Sequence, residues 1–162
     1  MGEVSGGDGG DSLDGLTRMA EVAWLKPDKA SHWIFEKLAA VVERANRVYE
    51  YDLLGFTEEA QFTCYRRQGA FYDWHQDGLE GDLAGRKLSL VVQLSDPSSY
   101  DGGDLELFSL STDPDLSASW RKKLRKRGSV IAFPAFEYHR VTSLTRGERY
   151  SLVCWVGGPP FR

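Results

Sequence analysis

His75, Gln76 and Asp77 stand in one short run, and His139 and Arg149 follow far downstream. Two imidazoles and one carboxylate on one face of a metal, with the opposite face open, are the ligand set of non-haem Fe(II) oxygenases. In a β-strand, residues i and i+2 point to the same side. His75 and Asp77 are therefore expected to aim together into a barrel mouth, with Gly78 letting the chain turn away at once. The third ligand must come from a neighbouring strand. The chain has three histidines, His32, His75 and His139. His32 falls in a helical segment and is expected at the surface, which leaves His139. Neither Cys64 nor Cys154 is placed to ligate, so sulfur-rich zinc sites are excluded. A zinc site with two His, one Asp and a bound water meets the ligand types alone. Arg149 argues against it. A guanidinium is permanently charged, binds carboxylates through paired N–H groups, and is costly deep in a barrel without an anion. Glu148, next door in the strand, should face the other way. An external dicarboxylate is the natural partner, and 2-oxoglutarate fits. Its C1 carboxylate and keto oxygen chelate iron, its C5 carboxylate reaches Arg149, and one position stays open for O2.

The elements that must position these groups are short strands. From Glu59 onward the apolar period is two, with runs at Gln61–Tyr65, Phe71–Asp77, Lys87–Leu94, Asp104–Phe108, Ser129–Phe133, Val141–Leu144 and Glu148–Val156. Leu88, Leu90, Val92 and Leu94 share one face. Turn residues separate the runs, among them Arg67-Gln68-Gly69, Asp101-Gly102-Gly103 and Arg146-Gly147. Six to eight short strands without alternating helices predict a mainly β fold, a two-sheet jelly roll or barrel over about 59–157. A supporting helix is expected over about 28–49. Its apolar stripe is Trp33, Ile34, Leu38, Val41, Val42 and Ala45, and Asp28 or Ser31 could cap it. The Gly- and Asp-rich residues 1–15 read as a flexible tail, and 16–162 as one domain. Asp113–Gly128 reads as a short helical insertion carrying the basic run Arg121–Arg127. It is either a solvated face or a basic rim that attracts an acidic substrate. Trp120 is expected to anchor that insertion to the barrel. Gly102-Gly103 reads as a turn for close strand packing.

Bulk properties narrow the setting. A net charge of −4 gives no global reason to expect nucleic acid or an anionic membrane as partner. No apolar run approaches the ~20 residues needed to span a bilayer. Both cysteines sit in apolar strand-like runs and read as buried thiols without a disulfide. These features point to a reducing, cytoplasmic setting.

At this point the chain resembles the 2-oxoglutarate/Fe(II)-dependent dioxygenases, in their prolyl-4-hydroxylase-like branch. The resemblance runs from about Gln61 to Trp155. It rests on Tyr65-x-x-x-Gly69-x-Phe71-Tyr72-x-x-His75-x-Asp77, Leu88–Leu94, Gly102-Gly103-x-Leu105, Phe133-Pro134, His139-x-Val141 and Gly147-x-Arg149-Tyr150-Ser151-Leu152 with Trp155. It implies a double-stranded β-helix with iron at its mouth. It also implies 2-oxoglutarate decarboxylation to succinate and CO2, coupled to hydroxylation of an unactivated C–H bond, with ascorbate as a possible reductant. Tyr65 matches the position where relatives place a phenol bonding the cosubstrate, and Ser151 matches the second member of an Arg-x-Ser pair. Gln93 matches a polar position facing 2-oxoglutarate; inside an apolar strand it also needs a partner to justify burial. Tyr72, Val141 and Trp155 are expected to line the substrate pocket, the last two as apolar walls. Many prolyl-4-hydroxylases carry Lys where this chain has Arg149, which leaves proline open as the target. Asp77 is intact, which excludes a halogenase.

The leading expectation is a hydroxylase of a prolyl or other residue in a peptide or protein. The alternatives are a hydroxylase of a free amino acid or small metabolite, an oxidative demethylase of nucleic acid, and a metal-containing jelly-roll binding module without turnover. Only the basic run speaks for nucleic acid, and no aromatic clamp is evident. Oligomeric state is left open by the sequence.

Overall fold

A computed structural model describes residues 17–78, 81–111 and 113–161. The expected tail, 1–15, lies outside the described residues. The strands are β1 (Glu21–Leu25), β2 (Gly55–Phe56), β3 (Ala60–Tyr65), β4 (Tyr72–His75), β5 (Arg86–Gln93), β6 (Tyr100–Gly102), β7 (Leu105–Leu107), β8 (Val130–Pro134), β9 (His139–Val141), β10 (Leu144–Gly147) and β11 (Arg149–Gly157). The helices are α1 (His32–Tyr49), α2 (Phe108–Ser111) and α3 (Pro114–Leu124). The larger sheet has the order β1-β3-β11-β5-β8, with β2 added to β11. Facing it are the sheets β4-β9-β7 and β10-β6. All pairings are antiparallel. This is the mainly β, two-sheet jelly roll that the period-two runs predict, and the double-stranded β-helix that the resemblance implies.

Strand alternation divides the residues of β5 and β11 between two cores. Leu88 and Leu90 of β5 and Leu152, Cys154 and Val156 of β11 pack under α1 with Phe35 and Leu38. Ser89, Val91 and Gln93, with Arg149, Ser151, Val153 and Trp155, take the opposite, inward face of the larger sheet, where Ser89 pairs with Trp155 and Gln93 with Ser151. The inward apolar members join a second cluster with Tyr65, Leu105, Phe133 and Val141. Each fully buried Leu contributes about 1.5–3 kcal/mol. The helix is therefore a support, holding the larger sheet from behind while its other face looks into the cavity.

Several boundaries depart from the sequence reading, each for a local reason. The helix begins at His32 rather than at Asp28. Asp28 instead folds the preceding turn, its Oδ1 accepting from the N–H groups of Ala30 and Ser31. Trp33 is 57% exposed, and Phe35 takes the buried place in the stripe. The run Val141–Leu144 is not one strand: Val141 ends β9 and Leu144 starts β10, so the chain crosses from one small sheet to the other. β1, β2 and β6 carry weak period-two patterns and were not expected. Trp120 does not anchor the insertion; it is 37% exposed, with the Lys123 ammonium over its ring. Buried Leu124 and Arg125 do this instead. Arg125 donates to Asp104 and to the carbonyls of Gly102, Pro97 and Tyr100, and lies 4.1 Å over the Tyr100 ring. Arg121 pairs with Asp104 and Glu106. Two cations of the basic run are thus tied into the scaffold rather than offered to a ligand.

Candidate metal and cosubstrate site

His75 closes β4 and His139 opens β9, and the two stand directly opposite each other in the antiparallel ladder. That register brings their rings to 4.1 Å between centroids. Asp77 arrives differently from the i, i+2 expectation, because β4 has already ended. The N–H groups of Asp77 and Gly78 both donate to the carbonyl of Ala135, which folds the chain back over the cavity. A methyl on Gly78 would lie 2.7 Å from both Arg86 Cβ and the Leu83 carbonyl oxygen, so this glycine is required for space and not for an unusual φ.

The three groups meet with their ligating atoms within 4.8 Å of one another. Nε2 of His75 lies 3.7 Å from Asp77 Oδ1, and Nε2 of His139 lies 3.5 Å from Asp77 Oδ2. Each imidazole is oriented in the same way. Nδ1 of His75 is 2.7 Å from the carbonyl of Asp73, and Nδ1 of His139 is 2.9 Å from that of Glu137. A carbonyl only accepts, so Nδ1 carries a proton in both rings, which leaves Nε2 as the nitrogen that turns toward Asp77 and could ligate. Burial, then the neighbouring His139, pushes His75 down to about 4, which keeps it neutral and able to ligate near pH 7. The Tyr72 ring stacks on His75 at 3.5 Å, and Phe133 meets His139 edge to face at 4.7 Å.

Ser89 was not found by sequence reasoning. Its side chain, fully buried on β5, donates to Asp77 Oδ2 at 2.6 Å. A Ser inside an apolar strand was the available signal, since a buried hydroxyl needs a partner. Arg86 was missed too. Its Nη1 donates to the Asp77 carbonyl at 3.0 Å, its other nitrogens pair with Glu58, and its guanidinium lies 3.8 Å over the Trp155 ring.

Below the triad runs a cavity of about 150 Å3. Arg149 lines it and is 1% exposed, yet among the described residues none of its three guanidinium nitrogens has a partner in hydrogen-bond geometry. Tyr65, its direct neighbour across the β3–β11 ladder, places its ring 5.1 Å beneath the guanidinium. Burial raises the Tyr65 phenol above its ordinary value, and the Arg149 charge opposes that rise. Glu148 does face outward as expected, bonding the Tyr150 hydroxyl and Arg66. Gly103 comes close to Arg149: a methyl there would sit 3.2 Å from its Cδ. The Gly-Gly turn therefore also leaves room for the buried cation.

The other expected residues are placed as follows. Ser151 is buried on the same face as Arg149 and lines the cavity with Tyr72, Val141 and Trp155. Gln93 is buried beside Ser151 in the ladder but is not among the residues lining the cavity, and among the described residues its Oε1 has no donor. A half-turn of that amide puts its NH2 at the same place, the orientation a carboxylate ligand would select. Trp155 is buried, but its indole N–H has no partner, so it is a wall with a free donor rather than a purely apolar one. His32 is exposed and pairs with Glu36, away from the site.

A tripod of two imidazoles and one carboxylate suits Fe(II). A buried guanidinium without an anion suits the distal carboxylate of a dicarboxylic acid. The residues present thus fit iron and 2-oxoglutarate together.

The comparisons with known proteins agree. Residues 60–157 match the family model described as the 2OG-Fe(II) oxygenase superfamily. A PKHD-type hydroxylase of Teredinibacter turnerae is 32% identical over 101 residues, covering 59% of this chain and 41% of that protein. The PKHD-type hydroxylase PiuC of Pseudomonas aeruginosa is 33% identical over 101 residues, again covering 59% and 41%. The chain thus spans about two-fifths of the length of these curated relatives. Among solved structures, a Pseudomonas putida prolyl-4-hydroxylase superposes with a TM-score of 0.67 at 23% identity, covering 92% of this chain and 77% of that one. A viral collagen prolyl hydroxylase from Paramecium Bursaria Chlorella virus-1, in its 2OG complex, gives 0.64 at 20% identity, covering 88% and 81%. These likenesses support the fold. The match over residues 60–157 spans the triad, Arg149 and the sheets that carry them, and the chain belongs to the 2OG-Fe(II) oxygenase superfamily.

Proposed function

We propose that this protein is an Fe(II)- and 2-oxoglutarate-dependent hydroxylase of a prolyl or other residue in a peptide or protein, releasing succinate and CO2. His75, Asp77 and His139 hold the iron. Arg149 receives the distal carboxylate of 2-oxoglutarate, with Ser151 beside it on the same face, Tyr65 below and Gln93 next in the ladder. Bound iron supplies O2 activation, and the chain's own residues orient the ligands and exclude water. Tyr72, Val141 and Trp155 line the space left for the target C–H bond. The observation that carries this reading is Arg149: a wholly buried cation with three unpaired nitrogens in the same cavity as a His-Asp-His cluster. A metal-containing binding module needs the cluster but has no use for that cation. The resemblance to PKHD-type hydroxylases supports hydroxylation as the outcome.

The reducing, cytoplasmic setting fits two free, buried cysteines. Among the described residues no helix is long and apolar enough to cross a membrane. The test is succinate release by the purified chain with Fe(II), 2-oxoglutarate, O2 and ascorbate. Turnover is expected even without substrate, at a low uncoupled rate. Asp77→Ala should abolish it and weaken metal binding, and Arg149→Ala should raise the 2-oxoglutarate requirement while metal still binds. No succinate under any of these conditions would refute the reading.

A further inference from the structure

Arg86 opens β5, and strand alternation alone would send its side chain outward. Leu88 and Leu90, two and four places on, pack under α1, while Ser89 and Val91 face inward. The ladder with β11 breaks that parity. Val156 pairs with Leu88, but Gly157 pairs with Arg86 rather than with Lys87, so β5 carries one extra residue at this point. A bulge of this kind re-aims the side chains beside it. Lys87 turns toward Tyr51, which packs with the core under α1. Arg86 turns inward and lines the cavity, its guanidinium 3.8 Å over the Trp155 ring.

The re-aimed guanidinium is gripped on one side and grips on the other. Its Nε and Nη2 close on the two carboxylate oxygens of Glu58, in the link between β2 and β3. Its Nη1 donates to the Asp77 carbonyl at 3.0 Å. Asp77 lies beyond the end of β4, so no ladder holds it. The peptide plane before it is held by its N–H on the Ala135 carbonyl. The plane after it is held at both ends, by the Gly78 N–H on the same carbonyl and by Arg86 on the Asp77 oxygen. With both planes fixed, the backbone of Asp77 has no soft dihedral left, and Ser89 then sets its carboxylate. We infer that Arg86, anchored by Glu58, is a positioning residue for the metal site: it fixes the Asp77–Gly78 peptide and so the direction from which the Asp77 carboxylate meets the metal. The cavity wall at Trp155 and the ligand turn share this one support. A lysine is a point charge and cannot serve Glu58 and the carbonyl in the same planar fork.

The inference rests on the assignment of Asp77 as a metal ligand in the function proposed above, and its test needs no turnover. The full chain is titrated anaerobically with Co(II). Affinity is read together with the visible absorption of the bound ion, which reports ligand geometry. Arg86→Met should weaken binding by about tenfold and change that absorption. Arg86→Lys should fall between this variant and the parent. Glu58→Gln loosens the anchor but leaves the donor to Asp77, so it should act in the same direction and less. Arg146→Gln, which removes the exposed pair with Asp101 on the β10–β6 sheet, should leave both readouts unchanged. If Arg86→Met does not fold, Arg86→Lys and Glu58→Gln carry the test with the same absorption change expected. Arg86 variants that lose thermal stability yet bind Co(II) within about twofold of the parent, with the parent's absorption, overturn the inference. Asp77→Ala separates that outcome from failure of the metal reading. If Asp77→Ala alone weakens binding, only the role of Arg86 falls; if it too leaves affinity unchanged, Asp77 is no ligand and both readings fall.

Discussion

Replacing Arg149 by Met should make the cosubstrate-free protein more stable while removing its response to 2-oxoglutarate. Met is shorter but apolar and unbranched, and it adapts to irregular space. In the folded chain the guanidinium is buried, and among the described residues none of its three nitrogens has a hydrogen-bond partner. Leaving a buried donor unsatisfied costs about 1–3 kcal/mol, more for a charged group. The aromatic face of Tyr65 offsets roughly 0.5–2 kcal/mol of this. A net gain of up to about 2.5 kcal/mol on removing the charge follows, as when buried ions are replaced by well-packed apolar residues. For a domain of this size that is on the order of 2–10 °C in Tm. The assay is thermal unfolding of the metal-loaded, O2-free protein with and without 2-oxoglutarate. The parent chain should gain RT ln(1 + [L]/Kd), about 2.7 kcal/mol at a hundredfold excess over Kd. The Met variant should start higher and gain almost nothing. A variant less stable than the parent, or one that 2-oxoglutarate stabilises equally, would refute the assignment of Arg149 as an anion receptor waiting for its ligand.

Three further outcomes follow from the same geometry. Ser89→Ala removes the 2.6 Å bond to Asp77 Oδ2 and should weaken metal binding by about 10–100-fold in an anaerobic Co(II) titration, with Ser89→Thr closer to the parent; affinity within twofold of the parent for Ser89→Ala would count against a positioning role. The metal-free protein should lose stability as pH falls from about 6.5 toward 4, because His75 is held at about 4 when folded and the unfolded chain binds the extra proton in that window; urea unfolding should show a decrease of about 3 kcal/mol, and a flat profile would contradict the assignment. Cys154, with its thiol pushed up to about 12 by burial, should resist iodoacetamide in the folded chain at pH 8 and react only on unfolding, as read by mass spectrometry of peptides; rapid labelling of the native protein would show that β11 opens.

The ease of reading this sequence differed from residue to residue. The inward face of β11 was legible because Arg149, Ser151 and Trp155 alternate with Leu152, Cys154 and Val156, and a period of two fixes which side each takes. The third ligand was legible because few histidines were available. The route by which Asp77 reaches the site was not. Its position depends on a carbonyl of Ala135, a residue far away in sequence, and no local pattern encodes that contact. Ser89 and Arg86 were missed for the same reason. Each acts through a partner on a different element, and nothing within a few residues of either names that partner. β1 and β2 were missed because each is added at the margin of the larger sheet, where Trp24 is exposed and the apolar alternation fades.

The polar atoms around the cavity fall into two groups, and the division indicates what the fold is built to hold. One group is committed to the scaffold: both histidine Nδ1 atoms to carbonyls, Asp77 Oδ2 to Ser89, Gln61 Nε2 to Thr63 and the Arg86 guanidinium to Glu58 and Asp77. The other group is left without partners: the three nitrogens of Arg149, the amide oxygen of Gln93 and the indole N–H of Trp155. A fold that merely tolerated buried polar residues would leave such atoms scattered, since each costs free energy. Here Arg149, Gln93 and Trp155 all sit on the inward face of β5 and β11. Arg149 and Trp155 are six residues apart on one strand, roughly 20 Å at ~3.3 Å per residue. The four C–C bonds of 2-oxoglutarate cover only a fraction of that span. On the proposed function the cosubstrate would meet the Arg149 end, while Trp155 stands opposite Ser89, whose hydroxyl donates to Asp77.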